Sequence, residues 1–175
     1  EVGTLDDDQK RRDFTINAMA LDYGGGIIDF FSGREDLQKK ILKTVGNADK
    51  RFEEDALRMF RACRFIGQLG FSYDIKIKSA IKRNLTKVEG LSLERVRTEL
   101  NKLVCSQYAE KGMELLVDSG LAGESCRYRA DKTEQLIPIL PELMKLVGVK
   151  QNSRYHQYDG WNHTLAALAN SDRSL

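Results

Sequence analysis

Between residues 52 and 69 the apolar side chains return every third or fourth position. At ~100° per residue, Phe52, Ala56, Met59, Phe60, Cys63 and Ile66 share one arc, Glu54, Arg58 and Arg61 face the other way, and Asp55 and Arg64 sit on the borders. This predicts one amphipathic helix of about five turns, closed by Gly70 at a C-terminal position suited to glycine. Asp74 is placed to cap a helix over 75–83 and Ser92 a helix over 92–104, where Leu93, Val96, Leu100, Leu103 and Val104 keep the helical period. A fourth helix is expected over 107–118, with Gly120 as its stop. Upstream, Asp6 to Asp8 and Thr15 offer caps near a short helix. Two short apolar runs, 19–22 and 27–31, flank Tyr23-Gly24-Gly25-Gly26 and predict a hairpin whose turn needs positive φ. Residues 122–141 are polar and carry both prolines, Pro138 and Pro141, which marks a boundary between helical modules. A further helix begins over 162–169. The expected fold is mostly α with one small β-hairpin.

Composition narrows the class. At 175 residues, 41% hydrophobic and 31% charged, the chain has the make-up of a globular protein rather than a disordered one. A net charge of +2 supplies no general basic field, so any RNA contact must come from clustered arginines and lysines. No apolar run approaches the roughly 20 residues of a membrane span. Cys63, Cys105 and Cys126 are odd in number and unpatterned, without a CxxC pair, and read first as reduced core thiols of a cytoplasmic protein and second as a zinc site. The three consecutive glycines lack a Walker lysine, so a phosphate loop is not expected there.

The arginine helix carries the chemistry. Asp55 and Arg58 are three apart and would be neighbours on a helix. An exposed pair of this kind contributes well under ~1 kcal/mol. Arg61 and Arg64 follow at the same interval, and three arginines in two turns repel one another unless something anionic lies among them. Glu54 and Asp55 supply part of that charge, and a triphosphate would supply the rest. An aspartate beside an arginine also discriminates bases. The carboxylate accepts from the exocyclic amine of cytosine or adenine, while the guanidinium donates to the adjacent ring nitrogen. Uracil and guanine present a carbonyl and a ring N–H there, so acceptor meets acceptor and donor meets donor.

The stretch Arg11-Arg12-Asp13-Phe14-Thr15-Ile16-Asn17-Ala18, the run from Glu54 to Phe65, and Glu94-Arg95-Val96-Arg97-Thr98-Glu99-Leu100 occur in one order. Together they resemble motifs B, D and E of the class II tRNA nucleotidyltransferase and bacterial poly(A) polymerase family, which adds CCA or runs of A to RNA 3′ ends. The resemblance implies that Arg12 contacts the nucleotide and that Asp13 and Asn17 shape the sugar site. It implies that Asp55 and Arg58 act as a protein template for the incoming base, with Arg61 and Arg64 alongside. Glu54, Glu94, Arg95 and Glu99 would support them, motif E buttressing the arginine helix. Ser32-Gly33-Arg34-Glu35-Asp36-Leu37 resembles the family's flexible motif C. Implied ligands are ATP, CTP and Mg²⁺, and the implied partner is tRNA or another RNA 3′ end. The implied architecture is the end of a nucleotidyltransferase head over 1–35, a helical neck binding nucleotide and RNA over 36–130, and a linker with the start of an HD-like domain over 131–175. The hairpin would then be a remnant of the head's sheet.

The family's metal-binding element, a Gly-rich turn followed by an Asp-x-Asp pair, is absent. Asp6-Asp7-Asp8 has the spacing, but no Gly-rich turn or strand precedes it. Residue 1 is not Met, and residues 162–169 read as a helix stopped just after it begins. The chain therefore reads as a fragment that catalyses nothing alone. The run Tyr158 to Leu165 resembles the start of an HD phosphohydrolase domain, with His163 as first metal ligand and its partners beyond Leu175; His156 lies seven residues before it. Two other readings stand beside the first: a metal-dependent phosphohydrolase on a helical platform, and a non-catalytic helical RNA-binding module.

Overall fold

The computed structural model describes residues 4–131, 133–150 and 158–171. The chain opens with α1 (Leu5–Lys10), a 3₁₀ turn (Thr15–Asn17), β1 (Met19–Leu21), β2 (Ile27–Asp29), α2 (Gly33–Gln38) and β3 (Ile41–Leu42). There follow α3 (Ala48–Glu54), α4 (Leu57–Leu69), β4 (Ser72–Tyr73), α5 (Ile75–Asn84), a 3₁₀ segment (Leu85–Gly90), α6 (Leu93–Val104) and α7 (Ala109–Asp118). After the 3₁₀ turn Leu121–Gly123 come β5 (Ser125–Ala130), β6 (Thr133–Pro138), α8 (Pro141–Leu146) and α9 (Gly160–Asn170).

α4 is the centre of the molecule. Its arc of Met59, Phe60, Cys63 and Ile66 is buried against Val96 and Leu103 of α6 and Met113, Leu115 and Leu116 of α7. Phe52 of α3 joins the same core. The crossing of α4 on α7 is close because α7 places Gly112 there, and Gly67 gives α4 room beside Leu103 of α6 and Ser106. A Cβ on Gly112 would stand 2.3 Å from the Cys63 carbonyl oxygen, and one on Gly67 would stand 2.6 Å from Leu103 Cδ1 and Ser106 Oγ. Cys63 and Cys126 are buried and Cys105 partly so, all three unbridged. Burial pushes the Cys63 thiol far above its ordinary range, which makes it inert.

Capping follows the sequence in most places. Asp74 accepts from the Lys76 amide at the start of α5, Ser92 from the Arg95 amide at the start of α6, and Gly70 takes φ 68° after α4. β1 and β2 pair antiparallel as expected, Met19 opposite Asp29, and Gly25 takes φ 81° in the turn.

Four expectations are corrected. The helix over 52–69 is two helices, broken at Asp55 (φ −149°, ψ 105°). The Asp55 carboxylate accepts from the Leu57 amide at 3.0 Å, so the side chain that reads as helical instead starts the next helix. The cap of α1 is Thr4, which forms a reciprocal capping box with Asp7, and not one of the aspartates. Thr15 heads a 3₁₀ turn without capping it, and donates to the buried Asp36 at 2.8 Å. Residues 125–138 form a hairpin, Ser125 opposite Pro138, where only a polar boundary was expected.

The segment before α2 is tied in from several sides. Asp29 accepts from the amides of Phe31, Gly33 and Arg34. Asp36 also pairs with Lys43. Gly33 lies so near the Thr15 carbonyl that a Cβ would sit 2.2 Å from its oxygen. No helix among the described residues is long and apolar enough to cross a membrane.

Candidate functional site

The segment joining α1 to the hairpin is docked onto the helices by backbone bonds. The Thr15 amide donates to the Lys43 carbonyl, and the Val45 amide to the Asp13 carbonyl, both at 3.0 Å. Phe14, fully buried, meets Phe65 of α4 edge-on at 5.6 Å. The C-terminal carbonyls of α1, which have no partner within their helix, are taken by arginines from α3 and α4. Arg51 donates to the Lys10 carbonyl, and Arg58 to the Arg11 carbonyl at 2.8 Å. These bonds set the first segment against the arginine helix.

Between them lies an open cleft of about 570 Å³. It is lined by Arg11, Arg12, Asp13, Asn17, Asp55, Arg58, Arg61 and Arg95, with Leu57 and Phe65 as its apolar wall. Residues from three distant stretches thus converge. Asp13 is 94% covered and central: one oxygen accepts from the Phe14 amide and from Asn17 Nδ2, the other from Arg61 Nε at 2.6 Å. Arg12, also in the lining, is half exposed and bound to Asp8 at 2.7 Å.

Asp55 and Arg58 both line the cleft but do not pair with each other. Asp55 accepts from the Leu57 amide and from Arg95 Nη2, each at 3.0 Å. Arg58 donates to the carbonyls of Arg51 and Arg11 and to Glu54 Oε2 at 2.7 Å. Three of its five N–H groups are engaged, so two remain, and the Asp55 carboxylate likewise keeps lone pairs in reserve. In place of the pair that the i,i+3 spacing suggested, each group is held by its own partners.

Arg64 does not line the cleft. It lies over the Phe65 ring at 4.1 Å and its Nε stands 2.7 Å from Glu99 Oε2, with both side chains nearly buried. Burial draws the guanidinium below its ordinary range and the Glu99 charge opposes that. Glu54 also lies behind the wall, holding Arg58 and Arg51. Of the third motif, Arg95 reaches Asp55 and Glu99 reaches Arg64, whereas Glu94 is exposed and its carboxylate enters no ion pair with a described residue. Arg11 and Phe65 belong to the lining although the sequence reading gave them no role. The signal for Phe65 was its place four residues after Arg61 and beside Arg64, on the apolar border of α4.

The aspartates of α1 are not assembled as metal ligands. Asp6 pairs with Lys10, Asp7 closes the capping box, and Asp8 binds Arg11 and Arg12. Among the described residues no three His, Cys, Asp or Glu side chains converge on a point. His163 lies on an exposed part of α9, and His156 falls outside the described residues.

Similarity to known proteins identifies the family. Residues 1–43 match the family described as poly A polymerase head domain, and residues 70–124 match "Probable RNA and SrmB- binding site of polymerase A". The chain is 49% identical over 121 residues to a CCA-adding enzyme of Geobacillus thermodenitrificans, covering 69% of this chain and 30% of that protein. It is 42% identical over 142 residues to a CCA-adding enzyme of Lactobacillus helveticus, covering 81% and 35%. Among solved structures it is similar to the Bacillus stearothermophilus CCA-adding enzyme in complex with CTP, with TM-score 0.67, 47% identity and coverage of 69% and 30%. A CCA-adding enzyme complexed with ATP gives TM-score 0.60 at 28% identity, over 67% of this chain and 29% of that one. The chain thus spans about a third of the length of the curated relatives it matches. Its motifs, its fold and these likenesses place it in the class II CCA-adding enzyme and poly(A) polymerase family, as part of the head and RNA-binding region.

Proposed function

We propose that the protein containing this chain transfers nucleotides from CTP and ATP to RNA 3′ ends, building CCA on tRNA without a nucleic-acid template. The observation that carries this reading is the convergence of Asp55 and Arg58 on one cleft with Arg12, Asp13 and Asn17. In this reading Asp55 accepts from the exocyclic amine of C or A, and the spare N–H groups of Arg58 donate to the ring nitrogen and, with cytosine, to O2 beside it. Arg95 and the Leu57 amide hold the carboxylate, while Glu54 and two carbonyls hold the guanidinium, so that both are aimed before the base arrives. Asp13 and Asn17 form the sugar side, and Arg11, Arg12 and Arg61 face the phosphates. The CTP and ATP complexes of similar proteins support this assignment.

Phosphoryl transfer in this family relies on magnesium held by paired carboxylates. The aspartates of α1 do not fit that role, because each is engaged with a different partner. The residues of this chain therefore select and orient the nucleotide, and the isolated chain is expected to incorporate none. The domain limits 1–35, 36–130 and 131–175 and a cytoplasmic location belong to the same proposal. For the phosphohydrolase reading, no group of three or more His, Cys, Asp or Glu side chains that could hold a metal ion occurs among the described residues. The test is incorporation by the intact protein on tRNA ending at the discriminator base, each NTP offered singly. CMP addition followed by AMP supports CCA building, AMP alone points to A addition, and no incorporation refutes the reading.

A further inference from the structure

The hairpin of β5 and β6 lies just beyond residues 70–124, the stretch matched to an RNA-binding family, and takes no part in the cleft. It is nonetheless fixed to the helix that serves the cleft. The Arg127 amide donates to the Leu91 carbonyl at 2.8 Å, Ser92 bridges to Arg127, and Ser92 caps α6, from which Arg95 reaches Asp55. At its base the Ile139 amide returns to the Glu124 carbonyl at 2.9 Å. The hairpin is thus closed at its base and tied to the body through Arg127.

The outward part of β5 is Arg127-Tyr128-Arg129. Cys126 is buried, but the Arg127 side chain is 45% exposed, Arg129 72%, and Tyr128 38%. Strand alternation puts both arginines on one face and the tyrosine on the other. Both guanidiniums lean on a single carboxylate, Glu134: Arg127 Nε to Oε1 at 3.2 Å and Arg129 Nη2 to Oε2 at 2.9 Å. Two cations share one anion, and the face keeps a positive excess. Tyr128 shares its face with the buried Cys126 yet stays 38% exposed. An exposed tyrosine flanked by arginines is a composition that binds RNA, the ring stacking on a base and the guanidiniums meeting phosphates.

We propose that the β5–β6 hairpin is a second RNA contact, holding a strand of the RNA whose 3′ end the cleft serves, through Arg127, Arg129 and Tyr128, with Glu134 as an internal competitor for phosphate. This rests on the nucleotidyltransferase reading above. Charge complementarity favours RNA over a protein partner.

The test is fluorescence anisotropy of the intact protein with a 5′-labelled tRNA lacking its terminal CCA, across a salt series. The double variant R127Q/R129Q should bind about tenfold more weakly at low salt. The slope of log K against log salt should fall by about 1.4, at roughly 0.7 for each lost single-strand phosphate contact. Tyr128→Ala should weaken binding roughly fivefold or more, and Tyr128→Trp should restore it. Glu134→Gln, which frees both arginines, should tighten binding a few-fold, a gain that loss of a structural ion pair would not give. CTP affinity should be unchanged in all of these, since none of the four residues lines the cleft. Unchanged RNA affinity and slope in R127Q/R129Q, with CTP binding intact, overturns the proposal, and so does a Glu134→Gln variant that binds more weakly. A wild-type protein that incorporates CMP while the hairpin variants bind RNA normally leaves the nucleotidyltransferase reading standing and this one fallen. A wild type that binds no RNA removes both.

Discussion

At the scale of single residues, the cleft is built by partners rather than by spacing. Arg58 and Asp55 are rigid because each already spends hydrogen bonds on the protein, and Asp13 is rigid because it accepts from an amide, an amide side chain and a guanidinium at once. Behind the wall, Arg64 and Glu99 form an almost buried pair, with the Arg64 guanidinium over the Phe65 ring. Removing one member of such a pair leaves an uncompensated charge, which costs about 3 kcal/mol or more. Glu99→Ala is therefore expected to lower unfolding stability by about that amount, and Glu99→Gln by less because it keeps a polar partner. Urea unfolding checks this, and a loss below about 1 kcal/mol for Glu99→Ala would mean the pair is better solvated than its burial indicates. The sequence showed that Arg64 belonged to this helix, but its distance from the cleft depends on the α4–α6 contact, which no local pattern encodes.

At the scale of elements, α4 owes its position to a close crossing with α7. Gly112 has no room for a side chain, since backbone of α4 and Leu103 occupy the space, so Gly112→Ala should destabilise by about 2–3 kcal/mol. Gly90 meets nothing within 4 Å of a built Cβ, and Gly90→Ala should be neutral or stabilise by about 0.4–1 kcal/mol through the unfolded chain. Thermal unfolding of the two variants separates the cases, and similar losses in both would contradict the crossing. The helices α5 and α6 were legible from their caps, Asp74 and Ser92, because a short polar side chain before an apolar run has one main use there. The break at Asp55 was hidden, because Phe52 and Ala56 stay buried in phase with Met59 and Phe60 across it. The β5–β6 hairpin left no trace in the pattern either. It buries little on either face, so its residues show no period of two for periodicity to find.

At the scale of the whole molecule, two carboxylates join separate elements and respond to acid. Burial alone would raise the Asp29 carboxyl, but the amides of Arg34, Gly33 and Phe31 together bring it below the usual carboxylate range. The Arg83 guanidinium, reaching from α5 to α3, lowers that of Asp49 against its own partial burial. A folded-state value below the unfolded one stabilises above the unfolded pKa of ~3.9, and that stability is lost as pH falls through the folded value. Stability should accordingly be flat from about pH 7 to 5 and decline below about pH 4. Asp29→Asn should be less stable at neutral pH and should lose less on acidification. Denaturant midpoints measured across this range test it, and a wild-type midpoint that rises below pH 4 would contradict the assignment. The docking of the first segment on the helices and the cleft it forms depend on contacts between distant stretches, whereas the three motifs could be read from their order alone.

The central claim, that the cleft reads the base, is tested most directly by kcat/KM of the intact protein for CTP and UTP with Asp55→Ala. One good bidentate contact gives ~1–3 kcal/mol of discrimination. The variant should therefore lose roughly tenfold or more of its CTP preference, by losing the acceptor for cytosine and the clash that excludes uracil. Arg12→Ala, measured beside it, should lower kcat/KM for CTP and UTP by a common factor, because sugar and phosphates are shared. An Asp55→Ala protein whose activity falls while its CTP-to-UTP ratio stays at the wild-type value would show that Asp55 serves only to start α4 and to hold Arg95.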